Sequence, residues 1–202
     1  DTDYKSRLMR INIKDGKPVS IEPVVTGFKL TNAVVWKDDA VYVSDTFFDM
    51  SDKPGMSGIY RIKLSEMQNE PVELKPKGTE DAHLLATFQT MPNKREDFAG
   101  VDGITFDSEG NLYTGNFGDG TLFKVSFDEN GNVSSKEAVY RSEEMSSIDG
   151  LFCDQRNDHI YIADYASNAI RFYLPEEGEL TTLWENGDTN GKNGLLDSPC
   201  EV

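Results

Sequence analysis

Short apolar runs broken by turn residues set the pattern of this chain. Between Gly100 and Asn132, GVDGITFDSEGNLYTGNFGDGTLFKVSFDENGN, three runs (Gly103 to Phe106, Asn111 to Asn116, Thr121 to Phe127) are separated by DSEG and FGDG. β-Branched and aromatic residues fill the runs while Asp, Asn, Ser and Gly fill the breaks, so the pattern predicts three strands joined by tight turns. After DENGN the run KEAVYR, Lys136 to Arg141, supplies a fourth. Connections this short oblige neighbouring strands to pair antiparallel, giving one four-stranded sheet.

The sheet recurs. Downstream, Asp149-Gly150-Leu151 matches Asp102-Gly103-Ile104, Ile160 to Asp164 matches Leu112 to Asn116, and Ala169 to Leu174 matches Thr121 to Phe127. Upstream, LTNAVVWKDDAVYVSDTFF and SGIYRIKL repeat the order with Asn32-Ala33 in the Asp-Gly position, stretched by the loop FFDMSDKPGMS and by a second insertion between Ser65 and Ala99. Within that insertion, HLLATF predicts an outer strand near Leu84 to Phe88. SRLMRINIKDGKPVSIEPVV supplies the last two strands of a preceding unit, and LLDSPCEV opens a further one. Four-stranded units at a period of about 40 to 50 residues are the signature of a β-propeller, an all-β fold. The blades fall at about 30–99, 100–146 and 147–195 of a single domain spanning 1–202. Whole blades close a ring without exposed edges, so part of a larger ring of six blades is the expected assembly. A compact four-bladed ring built from both partial ends ranks second.

Composition narrows the partners. With 36 acidic and 20 basic residues the net charge is −16, which repels a phosphate backbone and disfavours nucleic acid and anionic membranes. No run of about 18 apolar residues is present, so no membrane-spanning helix is expected. The start, DTDYKSR, lacks the apolar core of a signal peptide and is compatible with a processed or truncated N-terminus. A secreted or periplasmic setting is slightly favoured. Cys153 sits in an inner strand as a small hydrophobe, Cys200 lies in SPCEV, and a bridge between them is not expected.

In a propeller the first strand of each blade lines the central channel, so the residues opening those strands converge on its axis. Here they are Asn32, Asp102 and Asp149, all oxygen donors. Carboxylate and amide oxygens suit a hard cation such as calcium. Asp or Asn before a small residue also suits a turn on conformational grounds alone, and the residues themselves leave both readings open.

GVDGITFDSEGNLYTGNFGDGTLFKV, LTNAVVWKDDAVYVSD and SSIDGLFCDQRNDHIYIADYASNAIRFY together resemble the calcium-dependent six-bladed propellers of the senescence marker protein and gluconolactonase family, related to diisopropyl fluorophosphatase and more distantly to the paraoxonases. The resemblance implies one divalent cation in the channel, Ca2+ or a similar ion, held by a Glu, two Asn and an Asp from different blades. By that likeness Asp102 is the metal-binding Asp and the nucleophile or general base, Asn32 is one of the Asn ligands, and Asp149 stays outside the metal's inner sphere. The second Asn and the Glu have no counterpart here, although Cys200 or Glu201 could open the next inner strand.

Other polar residues are quieter. Asp45, Asn116 and Asp164 each close a second strand, where bonding to backbone is the favoured role. Substrate contact by Asn116, and by Asp149, is the sharper alternative. Asn186 to Asp197 spaces oxygens like a calcium loop, but Asn193 and Asp197 depart from that pattern and a plain turn is favoured. His159 reads as solvated, and His83 lacks an identifiable catalytic partner. The 47–56 loop carries Phe47, Phe48, Met50 and Met56, an apolar load suited to a lid or protein partner, or to packing on a neighbouring blade.

Two function classes follow. One is a calcium-dependent hydrolase of the lactonase or esterase type, acting on a small cyclic ester with Asp102 activating water or attacking directly. The other is a non-catalytic propeller of the NHL type that binds protein or carbohydrate. Fold alone does not choose between them.

Overall fold

The computed structural model describes residues 5–49 and 51–202. Asp1 to Tyr4 of the expected processed start, and Met50 of the 47–56 loop, lie outside the described residues. The chain folds into fifteen strands among those residues. They are β1 (Leu8–Lys14), β2 (Lys17–Thr26), β3 (Thr31–Lys37), β4 (Ala40–Asp45), β5 (Met56–Lys63), β6 (Val72–Glu73), β7 (Leu84–Gln89) and β8 (Val101–Phe106). β9 (Leu112–Asn116), β10 (Leu122–Phe127), β11 (Val133–Tyr140), β12 (Leu151–Asp154), β13 (His159–Asp164), β14 (Ala169–Leu174) and β15 (Glu179–Glu185) complete the set.

Three four-stranded antiparallel sheets form in chain order, β3-β4-β5-β7, β8-β9-β10-β11 and β12-β13-β14-β15, and the sheet β1-β2-β6 precedes them. The expected outer strand at Leu84 to Phe88 is β7. Two boundaries differ by more than one residue from those expected. β11 begins at Val133 rather than Lys136, because bulges in its pairing with β10 let the polar stretch Val133 to Ser135 join the ladder. β8 begins at Val101, so Asp102 and Gly103 lie inside a strand rather than in a turn before it. The 65–99 insertion also supplies β6, which joins β2 in parallel and adds a third strand to the preceding sheet.

The turns follow their residues. Asp15 and Gly16 both take positive φ, 51° and 72°, as a two-residue hairpin between twisted strands requires. DSEGN and DENGN fold alike: Asp107 accepts from Asn111 N at 2.7 Å and Asp128 from Asn132 N at 2.8 Å, fixing each loop before its chain turns back.

Each sheet packs face to face on the next. Val25, Phe28, Tyr60 and Ile62 fill the first interface. Tyr42, Ile59, Phe88, Ile104 and Leu112 fill the second, and Tyr113, Leu122, Ile160, Ile162 and Tyr173 the third. β8 and β9, covered on both sides, are buried at every position. The first sheet is covered on one side only and leaves Ile11, Ile13 and Ile21 exposed.

Candidate functional site

Asn32, Asp102 and Asp149 meet at one cleft. Its volume is about 500 Å³ and it is bordered by all three together with Phe47, Phe117, Tyr165, Cys200 and Glu201. Asn32 Nδ2 donates to Asp102 Oδ2 at 2.7 Å, across 70 residues of chain, and also to Thr46 Oγ1 at 2.9 Å. Thr46 in turn donates to the Val101 carbonyl at 2.9 Å. A chain of side-chain bonds therefore locks the second sheet to the third beside this cleft.

Local irregularity aims these side chains. The pairing of β3 with β4 shifts register between Thr31 and Val34, and that of β8 with β9 between Val101 and Ile104. Both shifts fall on the site residues and the small residue that follows them, and a bulge re-aims a side chain in this way. Gly103 and Gly150 have a different purpose from the turn-forming one in the sequence reading, since neither takes a positive φ. Gly103 N donates to the Asp149 carbonyl at 3.0 Å, and Gly150 N to the Cys200 carbonyl at 2.8 Å. A Cβ on Gly103 would stand 2.3 Å from Asp149 O, and one on Gly150 2.4 Å from Cys200 O. Glycine is required because backbone meets backbone there, the strand opening at Asp149 against Gly103 and the C-terminal segment against Gly150. The same register makes Cys200 the counterpart of Asp102 and Asp149, with Glu201 next to it.

The electrostatics single out Asp102. It is 7% exposed, and burial, reinforced by the Asp149 carboxylate, pushes its pKa up to about 8; the Asn32 hydrogen bond works the other way and Glu201 adds to the rise. Burial also raises Asp149, with Glu201 adding to the effect. Among the described residues no Lys or Arg forms an ion pair with Asp102 or borders the cleft.

The remaining polar residues are structural. Asn116 is fully buried and away from the cleft: Oδ1 accepts from Asp119 N at 3.0 Å and Nδ2 donates to Thr90 Oγ1 at 3.1 Å, so its amide is spent on the fold. Asp45 accepts from Leu30 N at 2.7 Å and pairs with Lys77 at 2.6 Å, and Asp164 accepts from Ser147 N at 3.1 Å and pairs with Arg171 at 2.9 Å. Both bonded backbone groups stand two residues before the site residues Asn32 and Asp149, so the strand-closing carboxylates hold the strand openings in place. In the Asn186 to Asp197 turn, Asn186 grips Leu196 through both its N–H and its C=O, at 2.9 and 3.0 Å. His159 is stacked on Phe172 with centroids 5.5 Å apart rather than standing free in water, because the pleat brings the two rings to one face. His83 lies between Asp81 and Glu66, 2.9 and 3.3 Å away, a pairing that only the folded insertion creates. Phe48 packs 6.4 Å from Tyr60 within its own sheet, whereas Phe47 turns to the cleft. Cys153 and Cys200 are both free thiols. Burial pushes the Cys153 thiol up to about 12, leaving it inert at neutral pH.

The sequence reading did not single out Phe117 and Tyr165 as lining residues. The signal was present: each directly follows the residue that closes its second strand, Asn116 or Asp164, on the face where the inner strands open.

No family model and no curated protein matches the chain. Among solved structures, a puromycin-hydrolyzing peptidase of Mycobacterium tuberculosis matches with 18% identity and a TM-score of 0.50, covering 98% of this chain and 26% of its own. This chain has a β-propeller fold. A candidate 6-phosphogluconolactonase of Bacteroides fragilis matches with 13% identity and a TM-score of 0.47, covering 90% of this chain and 43% of its own. The nidogen/laminin complex gives 14% identity and 0.48, covering 99% and 79%. The chain thus spans less than half the length of the Bacteroides protein and about a quarter of the peptidase's. At these identities the likeness concerns the propeller alone.

Proposed function

We propose that the cleft belongs to a calcium-dependent hydrolase of the lactonase or esterase type, with Asp102 as its base or nucleophile and Asn32 as its neutral partner. The observation that carries this reading is Asp102: a carboxylate buried at the channel rim, beside two further carboxylates and without a cationic partner. Asn32 and Asp102 would hold the ion through their oxygens, and calcium, which accepts six to eight such donors, suits that chemistry. When bound, the ion would polarise a substrate carbonyl and favour the ionised form of Asp102. Asp102 itself would accept the proton of an attacking water, or attack the carbonyl carbon directly. Asn32 would orient the Asp102 carboxylate through the 2.7 Å bond, and Phe47, Phe117 and Tyr165 would screen the cleft from bulk water.

A second reading, a non-catalytic propeller that binds a protein or carbohydrate, is favoured by one observation. Among the described residues no three His, Cys, Asp or Glu side chains converge closely enough to hold a metal, so Asn32 and Asp102 provide only part of a coordination sphere. A calcium titration of the protein separates the two. Saturable binding that Asp102→Asn abolishes, together with hydrolysis of simple lactones that the same change removes, supports the hydrolase. No saturable binding, or parental hydrolysis by Asp102→Asn, leaves the scaffold reading.

A further inference from the structure

The cleft has a wall as well as a floor. Phe117 and Tyr165 occupy corresponding positions in the third and fourth sheets, one residue beyond β9 and β13, and Phe47 comes two residues beyond β4 in the second. The propeller repeat carries all three to the same opening, each partly exposed to it. Phe117 and Tyr165 touch, with centroids 5.3 Å apart and planes tilted by 53°. Arg95 lies over the Phe117 ring at 5.1 Å and is tied back by Asp97 at 2.8 Å. Phe47 and Tyr165 carry no such cation among the described residues. Asp149 and the exposed Glu201 border the same cleft, and Glu201 Oε2 lies so near Gly150 that a Cβ there would be 2.5 Å away.

We infer that this cleft binds a small organic cation, an amine or quaternary ammonium group, held between the Phe47, Phe117 and Tyr165 rings and the Asp149 and Glu201 carboxylates. Aromatic faces attract such a cation through their quadrupole and bury its alkyl groups, and the gain is larger where the site is desolvated. The carboxylates set the sign of charge. An anionic ligand would meet Asp149 and Glu201 with no Lys or Arg among the described residues bordering the cleft to offset them, and a purely neutral ligand would leave them uncompensated. The volume, about 500 Å³, accommodates a compact ligand. The inference shares the cleft with the proposed hydrolase but stands without the calcium ion, because Asp149 and Glu201 are not among its two proposed ligands. If both readings hold, the substrate is an ester or lactone that carries an ammonium group.

Isothermal titration with choline tests this, set against 3,3-dimethylbutan-1-ol, its uncharged isostere, each with calcium present and with calcium chelated. Saturable choline binding is expected in both conditions, with the isostere at least about tenfold weaker. Tyr165→Ala should weaken choline by roughly fivefold and Glu201→Gln by roughly threefold. Phe152→Ala, which alters an exposed ring outside the cleft, should bind as the parent does. No saturable choline binding, equal affinity for the isostere, or full binding by both Tyr165→Ala and Glu201→Gln would overturn the inference. Choline binding that persists while calcium fails to bind would remove only the hydrolase reading. Calcium binding without choline binding would remove only this one.

Discussion

Asp164 and Asp102 lie in neighbouring sheets and are both buried, at 0% and 7% exposed, yet their charges are handled in opposite ways. Asp164 accepts from Ser147 N and is paired at 2.9 Å with Arg171, itself held by the Glu144 carbonyl at 2.8 Å and by Glu185 at 3.1 Å. Asp45, the corresponding residue of the second sheet, is treated likewise by Leu30 N and Lys77. At the same place in the sheet between them stands Asn116, a neutral amide bonded to Thr90 Oγ1 and Asp119 N. Where the buried group is charged, a cation has been supplied; where none is supplied, the charge is absent. Asp102 meets the same rule by its proton: with one amide donor, the Asp149 and Glu201 carboxylates nearby and no cation among the described residues, burial and then Asp149 push its pKa up to about 8, so the charge is largely absent at neutral pH. A buried carboxyl that the fold leaves to its own proton rather than to a cation fits the role proposed for Asp102.

Experiments distinguish these buried carboxyls. The largest effect is expected from pH. The folded pKa of Asp102, about 8, lies above the ordinary carboxylate value, so its protonated form stabilises the fold. That contribution is complete below about pH 4 and is lost as pH rises through about 8. At about 1.4 kcal/mol for each pH unit that separates the folded from the unfolded value, the loss reaches at most about 6 kcal/mol. Urea unfolding in chelator should therefore show stability falling over that window, and Asp102→Asn should flatten the fall while abolishing calcium binding. An unchanged profile would place Asp102 with the compensated carboxylates.

Next, Arg171→Met leaves Asp164 buried and unpaired and should cost about 4 kcal/mol in the same assay. Adding Asp164→Asn should recover most of it, since Asn116 shows that the position works with a neutral amide. Lys77→Met is expected to cost less, about 2 kcal/mol, because Lys77 is partly open to water at 17% exposure and Asp45 keeps its backbone donors. Asp45→Asn should again compensate. The smallest effect belongs to Lys94→Ala. Its partner Glu143 is exposed, like Lys94 itself, and the midpoint of unfolding should not move beyond error.

Much of the fold was legible in the chain. The alternation and turn residues of Gly100 to Asn132, repeated around Asn32 and Asp149, located the sheets and predicted β7 inside a long insertion. The repeat also nominated Asn32, Asp102 and Asp149 as neighbours, because equivalent positions of a circular repeat must converge. What it could not give was the reason for the glycines. The expectation of a turn at Asp102-Gly103 followed from local preference, whereas Gly103 and Gly150 are small because the carbonyls of Asp149 and Cys200 lie against them. β6 escaped notice because two residues pairing in parallel with a distant strand leave no periodicity.

Strand order, turn type and the repeat itself are local properties, written in which residues alternate and which bend the backbone, and the sequence by itself determined them. The state of each carboxylate was decided only in three dimensions. Asp45, Asp102, Asp149 and Asp164 are the same residue, but solvation and charge act through space. Lys77 reaches Asp45 from an insertion 32 residues away and Arg171 reaches Asp164 from the adjacent strand, while Asp149 and Glu201 close on Asp102 from two other segments. Packing, which no local pattern encodes, made two of these aspartates part of the scaffold and left Asp102 at the cleft with its own proton in place of a cationic partner among the described residues.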